Sequence, residues 1–162
     1  MNRNTRTISK LAGIIFATAI CSLLAYYLSS IIAGHSLATL SNNMSYTRWQ
    51  EKFFSLTIAA GGLTGVCSLL WFILARWLFK INNPLGVGRR TIWALLAAVS
   101  LAGSIAIPKF YSAMLGIQIN IVIIVLFVIF FTVISYWLVS IFVTPKPFKY
   151  TPVGAQLFSR WL

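Results

Sequence analysis

Acidic residues are nearly absent from this sequence of 162 residues, in which Glu51 is the only acid and His35 the only histidine. Catalysis by paired carboxylates needs a second carboxylate, and proton-coupled transport generally relies on an acid or a histidine within the bilayer. Cysteine is also scarce, because Cys21 and Cys67 stand far apart and form neither a Cys-x-x-Cys redox pair nor a metal-ligand set. The sequence therefore predicts a protein that is not an enzyme and that has no catalytic residues, no cofactor and no metal site.

Charged residues of both signs together make up only 9% of the chain, whereas hydrophobic residues make up 59%. A soluble domain carries about 25% charged residues, so this composition indicates an integral membrane protein. Four apolar runs approach the length of about 20 residues that crosses a bilayer core, and they lack the alternation of barrel strands. We predict an all-α polytopic fold with short loops and transmembrane helices at about 11–34, 53–79, 91–107 and 117–143.

Basic residues are distributed unevenly around these four runs. Ten of the 13 lysines and arginines precede the first run, separate the second from the third, or follow the fourth. The excess of Lys and Arg on cytoplasmic loops predicts that both termini face the cytoplasm, with a bacterial inner membrane as the expected location. Membrane orientation accounts for the net charge of +12, so we expect no nucleic-acid partner and no small-molecule substrate.

The predicted extracytoplasmic loop carries two aromatic residues, Tyr46 and Trp49, in its second half. Tyr and Trp favour the headgroup level of a membrane, which predicts a short interfacial helix lying flat before the second transmembrane helix. Asn43 begins an Asn-x-Ser glycosylation pattern, and a chance tripeptide is the other interpretation.

The C-terminal segment, residues 144–162, differs in composition from the transmembrane domain at 1–143. Three prolines within a short stretch favour an extended arm. Apolar residues at four-residue steps then predict a short amphipathic end. Two roles for this end stay open: resting on the membrane surface and docking into a partner's groove.

Small residues recur at every fourth position in the first three predicted helices. In lipid such residues let helices approach closely, so we predict that helices one to three form the packed unit and that the two cysteines fill small-residue seams in reduced form. The fourth helix is dominated by large apolar residues, and we expect it at the edge of the unit. The predicted packing residues are Gly13, Ala17, Cys21, Ala25, Ser29, Gly61, Gly65, Ala94, Ala98 and Ala102.

Basic and aromatic residues on the predicted cytoplasmic side form a second group of candidates. They are suited to docking of a partner or of anionic lipid headgroups, although membrane orientation alone also explains the basic ones. These candidates are Arg76, Lys80, Arg89, Arg90, Lys146, Phe148, Lys149, Phe158 and Trp161.

Three functions fit this pattern. The first is a non-enzymatic subunit that scaffolds a larger membrane complex of a secretion, conjugation or envelope machine, with the bilayer and other membrane subunits as its partners. The second is an immunity protein against a pore-forming bacteriocin, since such proteins resemble this chain in being small, basic, four-helix inner-membrane proteins. The third is a subunit of an oligomeric channel or carrier, which the scarcity of polar residues for a pathway disfavours.

Overall fold

The computed structural model describes residues 3–35, 46–78, 86–116, 119–145 and 151–158. These residues form four long helices and one short 3₁₀ turn, with no strand among them. All four helices are long and apolar enough to cross a membrane, which confirms the prediction of an all-helical, multi-pass membrane protein. The helices are α1 (Arg3–His35), α2 (Tyr46–Ile73, continued by a π-helical turn at Leu74–Leu78), α3 (Gly86–Leu115) and α4, which comprises Ile121–Phe127, a π-helical stretch at Val128–Leu138, and Val139–Val143.

The start of α2 differs from the prediction of a separate interfacial helix. The helix runs without a break from Tyr46, and Trp49 is buried against the ring of Phe53 with ring centroids 4.6 Å apart. The Tyr46 hydroxyl also donates to the Ser30 carbonyl of α1 at 2.9 Å. The prediction of a flat helix was wrong because these aromatic side chains pack into the bundle, which holds their segment in line with α2. Asn43 lies outside the described residues.

The third helix is longer than predicted, because it passes through Pro108 and ends only at Leu115. Proline cannot donate the backbone hydrogen bond that would go to the carbonyl four residues earlier, here that of Ser104. Membrane helices tolerate this loss because neighbouring helices and hydroxyl side chains satisfy the freed groups. Pro108 is buried, and the helix continues past it to Leu115.

The fourth helix begins later than predicted, at Ile121, because Asn120 provides its N-cap. Asn120 has an extended backbone, and its side chain accepts a hydrogen bond from the Val122 N–H at 3.4 Å. A side-chain acceptor at this position satisfies one of the unpaired N–H groups at a helix start. The exposed Asn120 therefore fixes the start of α4.

The arrangement of the helices places α2 and α4 at the centre. They contact each other, and each of them contacts both α1 and α3, which lie on opposite sides of this central pair. The prediction that the fourth helix lies at the edge was therefore wrong. Large side chains of α4 occupy the middle of the bundle, since Phe127, Phe131 and Tyr136 are fully buried.

Glycine in α2 helps to explain how a helix dominated by large apolar residues packs closely in the bundle. A Cβ atom built on Gly61 would lie 3.3 Å from Cε1 of Phe131, so the phenyl ring of α4 fills the space that glycine leaves. The π-helical stretch also adjusts the inward face of α4, because its N–H groups bond five residues back, as Val139 does to Ile134. A large ring of α4 thus packs against a small residue of α2.

Two apolar clusters form the core, one towards each end of the bundle. The first surrounds Trp71, Trp93 and Tyr136 at the end where α1 begins. The second surrounds Trp49, Phe53 and a pair of phenylalanines of α4, with edge-to-face ring contacts among them. The bundle is therefore closed by aromatic packing at both ends.

The described part of the C-terminal segment folds back onto α4. Trp137 donates its indole N–H to the carbonyl of Val153 at 2.7 Å. Gly154 has a φ of 81°, a left-handed conformation that favours glycine, and a Cβ atom there would lie 2.9 Å from the Trp137 ring. Residues Ala155–Phe158 form a 3₁₀ turn in place of the predicted amphipathic helix. This part of the segment contacts its own chain.

Candidate functional site

A layer of hydroxyl side chains joins all four helices between the two aromatic clusters. The oxygen atoms of Thr18 and Ser135 lie 3.2 Å apart, linking α1 to α4, and those of Thr64 and Ser100 lie 3.3 Å apart, linking α2 to α3. Every member has a hydrogen-bond partner within the layer's own helices. We call this set the hydroxyl layer, and its members are Thr18, Ser22, Thr64, Ser68, Ser100, Ser104, Thr132 and Ser135.

A second set of polar contacts lies at the end of the bundle that holds the start of α1. Trp71 donates its indole N–H to the Thr144 hydroxyl, and Trp93 donates to the Ser140 hydroxyl, both at 2.9 Å. The Tyr136 hydroxyl donates to the Trp93 carbonyl at 2.8 Å. Each buried aromatic polar group thereby finds an acceptor, as buried Trp and Tyr usually require.

Lys10 lies at this same end and caps α4. Its ammonium group donates to the carbonyl of Val143 at 2.9 Å. A cation at a helix C-terminus satisfies an unpaired carbonyl and interacts favourably with the helix dipole. The contact also fixes the start of α1 beside the end of α4.

The predicted packing residues of α1 are either buried in the bundle or more exposed. Cys21, Ala25 and Ser29 are buried, whereas Ala17 is half-buried and Gly13 is exposed, with open space around the position of a Cβ atom. The two cysteines are buried and unbridged. The inner part of the α1 ladder therefore faces the bundle.

The glycine pair of α2 packs closely against α1. A Cβ atom on Gly61 would lie 2.2 Å from the Ser22 hydroxyl oxygen, and one on Gly65 would lie 3.2 Å from the Thr18 methyl group. Contacts this short allow no larger side chain without movement of the neighbour. The backbone of α2 therefore approaches α1 closely at Gly61 and Gly65.

The alanine ladder of α3 points away from the bundle. Ala94, Ala98 and Ala102 are all exposed, so they do not pack the helices of this chain together as expected. The inward face of α3 instead carries Gly103, where a Cβ atom would lie 2.1 Å from the Leu63 side chain. We call the exposed ladder, with its three alanines, the alanine face.

A lateral groove of about 490 Å³ lies between the outer faces of α1 and α2. At its base, Thr18 and Ser22 of α1 pack against Gly61 and Gly65 of α2. The hydroxyls of Thr18 and Ser22 donate to carbonyls of their own helix. Ala19 of α1 and Gly62 of α2 line its middle, between larger apolar side chains before and after each. The groove exists because both helices carry a small residue at that level. Its walls are Ile15, Ala19, Leu23, Phe54, Ile58, Gly62, Val66 and Leu69.

The candidates for docking are only partly described. Arg76 and Arg89 are half-buried and Arg90 is exposed, while Phe158 ends the 3₁₀ turn and its side chain lies outside the described part of the chain. Within residues whose positions are described, no group of three or more His, Cys, Asp or Glu side chains comes together. The remaining candidates lie outside the described residues: Lys80, Lys146, Phe148, Lys149 and Trp161.

The chain matches no family model, no curated protein and no solved structure. The described residues form four helices that are long and apolar enough to span a membrane, and their outer surfaces carry the alanine face and the lateral groove.

The groove was not predicted from the sequence, although the pattern of residue sizes that forms it is visible there. Ile58, Gly62 and Val66 follow four-residue steps, and so do Ile15, Ala19 and Leu23, with the small residue in the middle of each series. A small residue between two large ones on an outer face indicates a depression. The hydroxyl layer has a similar signature, because each helix contributes two hydroxyl residues three or four positions apart.

Proposed function

We propose that the chain is a non-enzymatic subunit of a larger integral membrane assembly, of the kind that bacterial secretion, conjugation or envelope machinery uses. The observation that carries this proposal is the outward direction of Ala94, Ala98 and Ala102 on α3. In lipid, a ladder of small residues lets a second helix approach the backbone closely. Inside the chain, Gly61 makes contact of this kind between α1 and α2, so the alanine face suits a helix of another subunit.

The surroundings of the alanine face also support helix docking. Leu95 and Val99 lie on one side of it and Leu101 on the other, and all three are exposed. A row of small residues between rows of larger ones forms a shallow channel, into which the side-chain ridge of another helix packs. The exposed leucines and valine then add apolar contact to the close backbone approach.

The interior of the described residues favours a packed role over that of a channel or carrier. Conduction requires a lining of polar groups or carbonyls along a pathway. Here the side chains of the hydroxyl layer pair with one another or with carbonyls, and aromatic rings such as Trp71 and Phe127 fill the space beyond them.

We also propose that the subunit sits in a bacterial inner membrane with both termini in the cytoplasm. The contact of Lys10 with Val143 brings the start of α1 and the end of α4 to one end of the bundle. Arg76 near the end of α2 and Arg90 in the first turns of α3 belong to the same end. A concentration of basic residues at one end favours its placement on the cytoplasmic side.

Co-purification in mild detergent tests the proposed function. The full-length chain is isolated from its native membrane as the wild type, as Ala98→Leu and as Ala12→Leu, and the accompanying proteins are quantified by mass spectrometry. Ala12 is an exposed alanine of α1, so its substitution adds the same side chain outside the alanine face. We expect a membrane protein that accompanies the wild type and Ala12→Leu but is reduced by about tenfold with Ala98→Leu, as loss of roughly 1.4 kcal/mol would produce.

Two results would overturn the proposal. One is a wild-type chain that purifies without any stoichiometric partner. The other is a partner retained equally by both leucine variants, which would move the docking surface away from α3. A killing assay separates the immunity function, because a chain of that class protects cells from a pore-forming toxin in the absence of any partner subunit.

A further inference from the structure

The lateral groove between α1 and α2 has the dimensions of an acyl-chain site. It extends from Ile14 to Leu23 along α1 and from Phe54 to Leu69 along α2, which corresponds to about 14 Å and 22 Å at 1.5 Å per residue. The hydrocarbon core of a bilayer is about 30 Å thick, so one leaflet contributes roughly half of that. A groove of this length is comparable with the acyl tail of one lipid.

The lining of the groove has the chemistry of a lipid tail. Its walls are apolar side chains, and the few hydroxyls at its base, those of Thr18, Ser22 and Thr57, donate to carbonyls of their own helix. No described lining atom therefore presents a donor that a polar ligand would need. The volume of about 490 Å³ lies within the range of about 300–1,000 Å³ found for small-molecule sites.

A basic side chain stands beyond one end of the groove. Arg76 lies seven residues after Leu69, in the π-helical turn that continues α2 past this end of the groove. It is half-buried in the last turn of this helix, where an apolar span reaches the headgroup level. A guanidinium at that depth binds a phosphate through two parallel N–H donors.

We propose that this groove binds one acyl chain of an anionic phospholipid, whose headgroup phosphate is bound by Arg76. The space between Ala19 and Gly62 accommodates the acyl chain, and the larger residues on either side of them contact it. This site lies between α1 and α2, away from the alanine face of α3, so it stands independently of the proposed partner surface.

Photo-crosslinking with a defined lipid tests the proposal. The purified chain is reconstituted into nanodiscs that contain phosphatidylglycerol with a diazirine on one acyl chain, and parallel nanodiscs contain the matching phosphatidylcholine probe. After irradiation, mass spectrometry maps the lipid adducts on tryptic or chymotryptic peptides. We expect adducts concentrated on residues 54–69 and 14–23 with the phosphatidylglycerol probe, and fewer with phosphatidylcholine.

Two glycines provide a matched pair of variants. Gly62 lines the groove and Gly13 does not, and a Cβ atom built on either one has open space around it. We expect Gly62→Phe to reduce adduct formation in the groove by about tenfold, the effect of roughly 1.4 kcal/mol, and Gly13→Phe to leave it unchanged. Ala19→Leu fills the groove from the opposite wall and gives the same loss if Gly62→Phe fails to fold.

A separate variant tests the contact between Arg76 and the lipid headgroup. Arg76→Gln should remove the preference for phosphatidylglycerol over phosphatidylcholine while labelling of the groove continues with both probes. Equal labelling of the wild type and Gly62→Phe would overturn the acyl-chain site, and equal labelling by the two lipids in the wild type would overturn the anionic headgroup. Loss of a co-purifying protein, instead of a lipid, on Gly62→Phe would assign the groove to a partner helix and also overturn the proposal.

Discussion

The hydroxyl oxygens of Ser104 and Thr132 lie 3.0 Å apart and join α3 to α4. Ser104 has a single hydroxyl hydrogen, which it donates to the Ser100 carbonyl at 2.8 Å, so Thr132 is the donor between the two helices. The same reasoning holds for α1 and α4, where Thr18 donates to the Ile14 carbonyl and accepts from Ser135. Hydroxyls that bond to their own helix thus serve as acceptors for the next one.

The Thr132 hydroxyl should contribute measurably to stability. Thr132→Val keeps the shape of the side chain but removes the donor, and we expect the free energy of unfolding to fall by about 0.6 kcal/mol and at most about 1.7 kcal/mol, the range for hydrogen bonds between membrane helices. Thr132→Ser retains the hydroxyl and serves as the control. Unfolding in mixed detergent micelles, followed by circular dichroism, measures the difference. A double-mutant cycle with Ser104→Ala should show coupling, and strict additivity would contradict the contact.

Substitution by alanine should reduce the stability of the fold at Gly61 but not at the adjacent Gly62. Gly61→Ala places a methyl group against the Ser22 hydroxyl and should destabilise the fold by about 1–3 kcal/mol, as overpacking usually does. Gly62→Ala meets open space and should cause no loss, since alanine is the better helix former. The same micellar unfolding measurement compares them. Equal effects of the two variants would mean that α1 does not approach α2 at Gly61.

Two tryptophans of α2 should differ in their importance for stability. Trp71 is 0% exposed and donates to Thr144, whereas Trp77 is 59% exposed. Trp71→Phe should cost about 1–3 kcal/mol, because it leaves the Thr144 oxygen without its buried donor, and Trp77→Phe should change stability by less than about 0.5 kcal/mol. In liposomes, brominated lipids should quench Trp77 and spare Trp71. Strong quenching of Trp71 would contradict its buried position.

The conformation of Gly154 should control the attachment of residues 151–158. Gly154→Ala adds about 1–2 kcal/mol for the left-handed backbone and a clash with the Trp137 ring. Amide hydrogen exchange at Ala155 and Leu157, which donate to the carbonyls of Pro152 and Gly154, should then accelerate by about tenfold or more, since roughly 1.4 kcal/mol is tenfold.

Gly116 supplies the control for that experiment. Its φ of 63° is also left-handed, but a Cβ atom there would meet nothing within 4 Å. Gly116→Ala should therefore leave exchange at Ala155 and Leu157 unchanged. Unchanged exchange in Gly154→Ala as well would show that the Trp137 contact does not hold the segment.

The sequence was sufficient to predict the four spans, because the thickness of the bilayer sets the length of an apolar run. It was less informative about where the helices end. Proline at 108 and the aromatic pair at 46 and 49 are usual marks of a boundary, yet neighbouring helices satisfy or bury these residues and both helices continue. Such compensation comes from tertiary contacts, which a local pattern does not contain.

The sequence was less informative about which face of each helix points into the bundle. In a soluble protein, polarity marks the outer face of a helix, but lipid is as apolar as the protein core, so this contrast is missing in a membrane. Gly61 lies where only glycine fits against Ser22, whereas an alanine such as Ala98 fits equally well against a helix or against lipid. The serines at 100 and 104 mark the inward face of α3, and they became informative only once their partners on α2 and α4 were known.

The hydroxyl layer has a consequence for the insertion of the chain into a membrane. A helix that slipped along its axis by one turn would move its hydroxyls by about 5.4 Å, which exceeds the reach of about 3 Å of a hydrogen bond. Its partners at Thr64, Ser100, Thr132 and Ser135 would then lose their acceptors or donors in an apolar medium. The hydroxyl layer therefore fixes the axial register of the four helices, because their hydrogen bonds form only when all four lie at matching depths in the bilayer.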